Sequence, residues 1–276
     1  MNIELLRTFL EVARVRHFGQ SAEGLFITQA AVSARVKTLE SQLGVSLFDR
    51  GRSGVRLTPA GHRLMRHAES IVAGWRKARQ DVALGEGAQQ LSIGGSLRLW
   101  DVMLQDWLHR VHHDASDTAI IAECHTPEVL TRRLLDGSLD LAVMLEPPQI
   151  EQLQTRNVGR LTLDLVTTNP SMTAADAVDD GYVFVDWGLA HSVEHARRHP
   201  MAPPPQMRLG QARMAIEYLL TFGGNAYLPA ALLAAELADE RLFIVPEAPR
   251  FDYPVFCAYR TGTDRIDVIE HVIALL

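Results

Sequence analysis

The chain has 276 residues, 47% hydrophobic and 22% charged, with a formal net charge of −6. That length is ample for more than one compact domain. No run of about 18 uncharged apolar residues is present, so no membrane span and no membrane partner is expected. The net charge alone would exclude a polyanionic partner, but its distribution does not. Residues 1–90 hold 13 Lys and Arg against 8 Asp and Glu, whereas residues 91–276 hold 14 against 25. A basic front on an acidic body points to a nucleic-acid module joined to a part that avoids nucleic acid. Cys124 and Cys257 lie far apart and suggest neither a disulfide framework nor a metal knuckle. The opening Met1-Asn2-Ile3-Glu4 has no basic-then-apolar leader pattern, and the expected location is the reducing cytoplasm.

Leu5, Leu6, Phe9, Leu10, Val12 and Ala13 recur at helical spacing and predict an amphipathic first helix. Gly19 interrupts the pattern, and a short second helix is expected over 20–26, with Ala22 and Leu25 inward. Thr28 is a good N-cap for a third helix from Gln29 to Leu43, which Gly44 stops. Val32, Val36, Leu39 and Leu43 form one apolar stripe on it. Ala30, Ala34, Lys37 and Ser41 lie opposite, with Gln29 and Ser33 on one flank and Arg35 on the other. A face that is small or hydrogen-bonding near the helix start, with cations behind, suits entry into a major groove. A three-helix bundle with a solvated polar side is the alternative for that helix taken alone. The next segment favours the groove. A β-hairpin over 47–58, turning at Gly51-Arg52-Ser53-Gly54, carries Arg50, Arg52 and Arg56. A short basic hairpin directly after such a helix is the wing of a winged helix-turn-helix, and its arginines suit phosphate or the minor groove.

The run Thr28-Gln29-Ala30-Ala31-Val32-Ser33, with Ala22, Leu25, Leu39-Glu40, Leu43-Gly44, Leu47-Phe48, Arg50 and Leu57-Thr58-Pro59-Ala60-Gly61, resembles the N-terminal signature of the LysR-type transcriptional regulators. The opening through His17-Phe18-Gly19 resembles the HdfR branch of that family. Ser21 and Gly24 inside the second helix, and Ala34 where relatives are often polar, depart from the pattern; Ala34 either makes fewer base contacts or meets a thymine methyl. Thr28, Gln29, Ala30, Ser33, Ala34, Arg35 and Lys37 are the expected major-groove residues, and Arg50, Arg52 and Arg56 the wing contacts.

Thr58 and Pro59 suit N-cap and first-turn positions of a long helix. Leu64, Ala68, Ile71, Trp75, Ala78 and Val82 step by four and three alternately, a coiled-coil seam. A helix packed only on its own domain is the alternative. The resemblance implies a dimerisation helix, and with it a homodimer, assembling as a dimer of dimers, on a roughly palindromic double-stranded DNA operator. It also admits RNA polymerase as a partner. The domains so read are a winged helix-turn-helix over 1–59, a dimerisation helix with a hinge at Gly85-Glu86-Gly87-Ala88 over 60–87, and an effector and assembly domain over 88–276.

Beyond Gln90, strands and helices alternate as β-α-β-α-β, the pattern of an α/β fold with parallel strands. Strands are expected near 91–94, 119–123, 139–145, 161–168, 182–185, 206–209, 226–228, 241–245 and 253–259. The resemblance implies two Rossmann-like lobes of periplasmic-binding-protein type, the first about 91–160 plus 256–276 and the second about 161–255, with a small-molecule effector between them. Strand ends and helix starts then nominate Ser96, Leu97, Thr126, Asp186, Trp187, Gly223, Gly224 and Asn225. Ser96 and nearby helix N–H groups would suit a carboxylate, although helix capping explains Ser96 and Thr126 too, and a tight turn explains the glycines.

An enzyme finds no support: the chain has no dinucleotide or phosphate loop, no nucleophile elbow and no His-Glu-x-x-His. No cofactor, metal or catalytic residue is expected. His191, His195 and His199 share one helix face that reads as solvated, with a metal site as the alternative; His109, His112 and His113 cluster at another helix end. Redox sensing by the two cysteines, and a DNA-binding protein with no effector, are the remaining alternatives.

Overall fold

The computed structural model describes residues 2–51, 54–83, 89–115 and 118–276. Arg52 at the wing tip and the Gly85–Ala88 hinge lie outside the described residues. The chain divides into two compact units, Met1–Gln89 with Asp136–Ser138, and Gln90–Leu135 with Leu139–Leu276.

In the first unit, α1 (Ile3–Val15), α2 (Phe18–Leu25) and α3 (Gln29–Leu43) precede a hairpin of β1 (Phe48–Gly51) and β2 (Gly54–Leu57), and α4 (Pro59–Ala83) follows. The apolar stripes of all three helices meet in one core of Leu6, Phe9, Val12, Ala22, Val32, Val36 and Leu39, closed by Leu47 and Phe48 of the hairpin. Phe48 packs on Phe9 and Phe18 with centroids 5.4 and 6.1 Å apart. Two expectations need correction. The second helix begins at Phe18, because His17 Nδ1 accepts the Gln20 N–H at 3.2 Å and caps it there. Gly19 falls in the first turn, where few intrahelical bonds are at stake. Leu43 is exposed, since the final turn of α3 extends beyond the core before Gly44 ends it at φ 69°. Glu40 ties α3 to the wing by accepting the Leu47 and Phe48 N–H groups. Thr58 starts α4, accepting the Gly61 N–H at 3.0 Å while its hydroxyl donates to the Ser46 carbonyl.

The second unit is a mixed α/β fold. Its first lobe is built from β3 (Gln89–Gly95), α5 (Leu97–Leu99), a π-helical turn over Trp100–Leu104, α6 (Gln105–Asp114), β4 (Thr118–Cys124), α7 (Pro127–Leu135) and β5 (Leu141–Met144). The long strand β6 (Leu153–Thr167) then leads into β7 (Val183–Val185), α8 (Leu189–Arg198), β8 (Met207–Leu209), α9 (Ala212–Phe222), β9 (Asn225–Leu228), a 3-10 turn, α10 (Ala234–Ala238) and β10 (Phe243–Ile244). β11 (Phe251–Arg260) returns to the first lobe, where α11 (Ile266–Ala274) ends the fold. The main sheet runs β10-β6-β11-β5-β3-β4, with β9 also on β6. β3 and β5 are parallel, as are β7 and β8. β6 and β11 are the crossovers. They pair antiparallel from Leu163–Phe251 to Leu153–Arg260, with a bulge at Val255 and Phe256. β6 continues beside β9 from Asp164, while β11 joins β5 from Phe256. The strand expected over 161–168 therefore starts earlier, at Leu153. Its front half is polar and largely exposed, so neither an apolar run nor strict alternation marks it.

Candidate nucleic-acid interface and effector cleft

Thr28 accepts the Ala31 N–H at 3.2 Å and fixes the start of α3. Gln29, Ala30, Ala34, Lys37 and Ser41 are exposed, and Ser33 and Arg35 are half-buried. The inward stripe thus leaves free the face the periodicity selects. Arg35 turns toward α1, donating to Thr8 Oγ1 at 3.3 Å and pairing with Glu4 at 3.6 Å. A pair this exposed is worth at most about 1 kcal/mol, too little to hold the guanidinium against a phosphate. On the wing, Arg50 stands opposite Val55 in the register, and Arg56 is exposed. Lys37 and Arg56 have no ion pair among the described residues.

Sequence reasoning missed two neighbours. Thr38 is exposed on the same face, its hydroxyl donating to the Ala34 carbonyl. Phe26, the C-cap of α2, is 95% exposed at φ 55°. A bulky residue in the left-handed region, with its ring in solvent beside the start of α3, is costly for folding alone. The signal was present in the sequence: Ala22 and Leu25 already fill the inward face of α2, so the ring next to Leu25 has nowhere inward to go.

Along α4, Leu64 and Ala68 pack into the unit's own core. Ile71, Trp75, Ala78 and Val82 are exposed, Val82 by 86%. The seam expected from the spacing is therefore divided, its front serving the domain core and its rear bare.

In the second unit, a cleft of about 930 Å³ lies between the lobes, its wall including Ser96, Arg98, Thr126, Glu128, Glu146, Asp186 and Trp187. Ser96 follows β3, Thr126 precedes α7, Glu146 follows β5, and Asp186 and Trp187 follow β7. Arg98 donates from Nη2 to Asp186 Oδ2 at 2.8 Å and from Nε to the Asp186 carbonyl. One turn on, in the π-helical segment, Asp101 pairs with Arg213 at 3.0 Å. The helix after β3 is thus fastened to the second lobe at two points. Burial opposes the charge of Asp186, but the Gly188 N–H and Arg98 hold its carboxyl below the ordinary value. The Thr126 hydroxyl and the residue's own N–H lower Glu128 likewise. Arg98 and Glu146 escaped sequence reasoning because their partners are distant, Asp186 lying 88 positions from Arg98 and Ala190 44 from Glu146, and Glu128 because nothing local marks its helix start as part of a cleft.

The cleft brings together Ser96, Thr126, Asp186 and Trp187, but not the other candidates. Leu97 is exposed beyond its edge. Gly223, Gly224 and Asn225 lie elsewhere in the second lobe and serve its packing. Gly223 ends α9 at φ 78°, and a Cβ on Gly224 would strike the Gly181 carbonyl. Asn225 is buried and donates to the Asp180 carbonyl at 2.6 Å.

The inner face of α8 overturns another expectation. His191 is 1% exposed and His195 is buried as well. They pack among Tyr182, Phe184, Tyr227 and Phe251 from the lobe's strands. His191 Nδ1 meets Tyr253 Oη at 3.0 Å, and His199 Nε2 meets Tyr227 Oη at 3.0 Å. Burial, then neighbouring imidazoles, push His191 down to about 3 and His195 to about 4. These are neutral core side chains, and among the described residues no group of three metal-binding side chains converges. Cys257 is buried in β11 and its thiol is pushed up to about 12 by burial, while burial also raises exposed Cys124. Neither thiol has the lowered value that reactivity requires.

A winged helix-turn-helix followed by a two-lobed α/β unit with a cleft between its lobes defines the class of DNA-binding regulators with a substrate-binding domain. Residues 3–62 match the bacterial regulatory helix-turn-helix protein, lysR family, and residues 84–276 match the LysR substrate binding domain. The chain belongs to the LysR family of DNA-binding transcriptional regulators. It is similar to the HTH-type transcriptional regulator HdfR of Yersinia enterocolitica, 32% identical over 283 residues that span 99% of this chain and 95% of the relative. Among solved structures, CbnR, a LysR family transcriptional regulator, aligns over 100% of this chain and 99% of its own at TM-score 0.77 and 18% identity. CbnR complexed with its target DNA aligns over 100% of both chains at TM-score 0.75 and 18% identity. No helix among the described residues is long and apolar enough to cross a membrane.

Proposed function

We propose that the chain, acting in the cytoplasm as a homodimer or dimer of dimers, reads a roughly palindromic operator with α3 and changes its hold on that operator when a small molecule fills the Ser96 cleft. The observation that carries this reading is the exposed face of α3, where Gln29, Ala30, Ala34 and Thr38 are uncharged and Lys37 has no ion pair among the described residues. Gln29 and Ser33 suit base edges, Ala30 and Ala34 suit close approach or a thymine methyl, and Lys37, Arg35 and Arg56 suit phosphates. Phe26 adds an apolar contact with sugar or a thymine methyl. Arg50 and Arg52 complete the wing. The bare stripe of Ile71, Trp75, Ala78 and Val82 supports self-association through α4. RNA polymerase is the partner through which bound regulator changes transcription. No cofactor, metal or catalysis enters this reading.

Selection of duplexes from a random pool by the full chain, followed by footprinting, tests it. The expected result is a two-fold-symmetric site with half-sites about one helical turn apart. Recovery of no preferred sequence contradicts it.

A further inference from the structure

Three elements of the Ser96 cleft would ordinarily receive an anion, and each already holds a carboxylate of the chain itself. Arg98 is taken by Asp186, through the 2.8 Å ion pair and a second bond to the Asp186 carbonyl. At the start of α8 the Ala190 N–H donates to Glu146 Oε1 at 3.2 Å. The first turn of α7 carries Glu128, held in its charged form by the Thr126 hydroxyl and its own N–H. An incoming carboxylate would have to displace one of these internal anions. It would also enter a wall that, among the described residues, carries Arg98 against three carboxylates, Glu128, Glu146 and Asp186. Apolar surface from Leu145 and Leu189 lies alongside. Ser96 adds a polar group: it lines the cleft at 6% exposure, and its side chain makes no hydrogen bond among the described residues, not even the cap bond its position offers.

We propose that the cleft binds a cationic effector, an organic amine with an apolar body, and disfavours the carboxylate that Ser96 and a helix start suggest in isolation. This rests on the cleft being the effector site. The ammonium donates to Glu146, with Glu128 adding to the field and Ser96 Oγ accepting a further bond. The apolar body lies against Leu145 and Leu189. A protonated amine supplies donors where the wall supplies acceptors, and it leaves the Arg98–Asp186 pair in place.

A matched series tests charge at constant shape: 4-phenylbutylamine, 4-phenylbutanol and 4-phenylbutyrate, titrated calorimetrically into the full chain. The amine is expected to bind at least about tenfold tighter than the butyrate, the size expected when one charge-assisted hydrogen bond is at stake. The Glu128→Gln/Glu146→Gln double variant, altered only at exposed side chains, should lose that advantage and bind the alcohol as the wild type does. Butyrate binding tighter than amine, and weakened by Ser96→Ala, overturns the cationic class but keeps the cleft as the effector site. Amine binding that is equal in the wild type and in both variants overturns the cleft itself. No amine binding at millimolar concentration overturns the proposal.

Discussion

Cations are used in opposite ways in the two units of this molecule. On the reading face, Lys37 and Arg56 project without ion-pair partners among the described residues. In the second unit, Arg98, Arg213, Arg250 and Arg265 are each tied to an aspartate: Asp186, Asp101, Asp164 and Asp140. What a surface will bind depends on which charges are left unpaired more than on how many there are. A free cation gains by meeting a phosphate and releasing counterions. A satisfied one must first break what it has. The same contrast extends inward, since the first unit's core is apolar while the second buries imidazoles.

Acid should separate the units most strongly. His191 and His195 are neutral in the fold, at about 3 and about 4, against an ordinary value of 6.5. Below pH 6.5 the unfolded chain binds protons that the folded chain refuses. The stability contributed by keeping these groups neutral is therefore complete above pH 6.5 and drains as pH falls toward 4. The slope approaches about 1.4 kcal/mol per pH unit for each histidine. Urea unfolding at pH 7.5 and pH 5 should show the second unit weakening first, with His191→Phe flattening the trend. Equal pH dependence of both units would break the contrast.

Gly61→Ala should do the reverse. A Cβ there strikes the Leu47 carbonyl and crowds Leu57, and backbone cannot yield cheaply. A cost of about 1–3 kcal/mol is expected, confined to the first unit. DNA binding should fall, while melting of the second unit and occupancy of its cleft stay unchanged. Finer still, Gln29→Ala should cost about 1–3 kcal/mol on the selected duplex and almost nothing on random DNA. Lys37→Ala should weaken both duplexes alike and reduce the slope of log affinity against log salt by about 1.

The helices of the first unit were legible because their apolar stripes are local and periodic: Val32, Val36 and Leu39 identify the hidden side of α3 and so its free side. The wing and the cap at Thr58 were legible for the same reason. The front of β6 was not, because Gln154 to Asn157 are polar residues whose strand state comes from pairing with β11, about a hundred residues on. The spacing of His191, His195 and His199 placed them on one face, but the face turned inward because Tyr227 and Phe251 arrive from distant strands to meet it. The cleft was half legible. Strand ends located Ser96, Thr126 and Asp186, while the pairing that decides its polarity joins residues that no local pattern connects.

The most direct test is a titration of the full chain against its selected duplex and a random duplex of equal length, repeated from low to moderate salt. The expected result is a specificity ratio of at least about 10³ that persists as both affinities fall with salt. Equal affinity for the two duplexes at every salt concentration would contradict it.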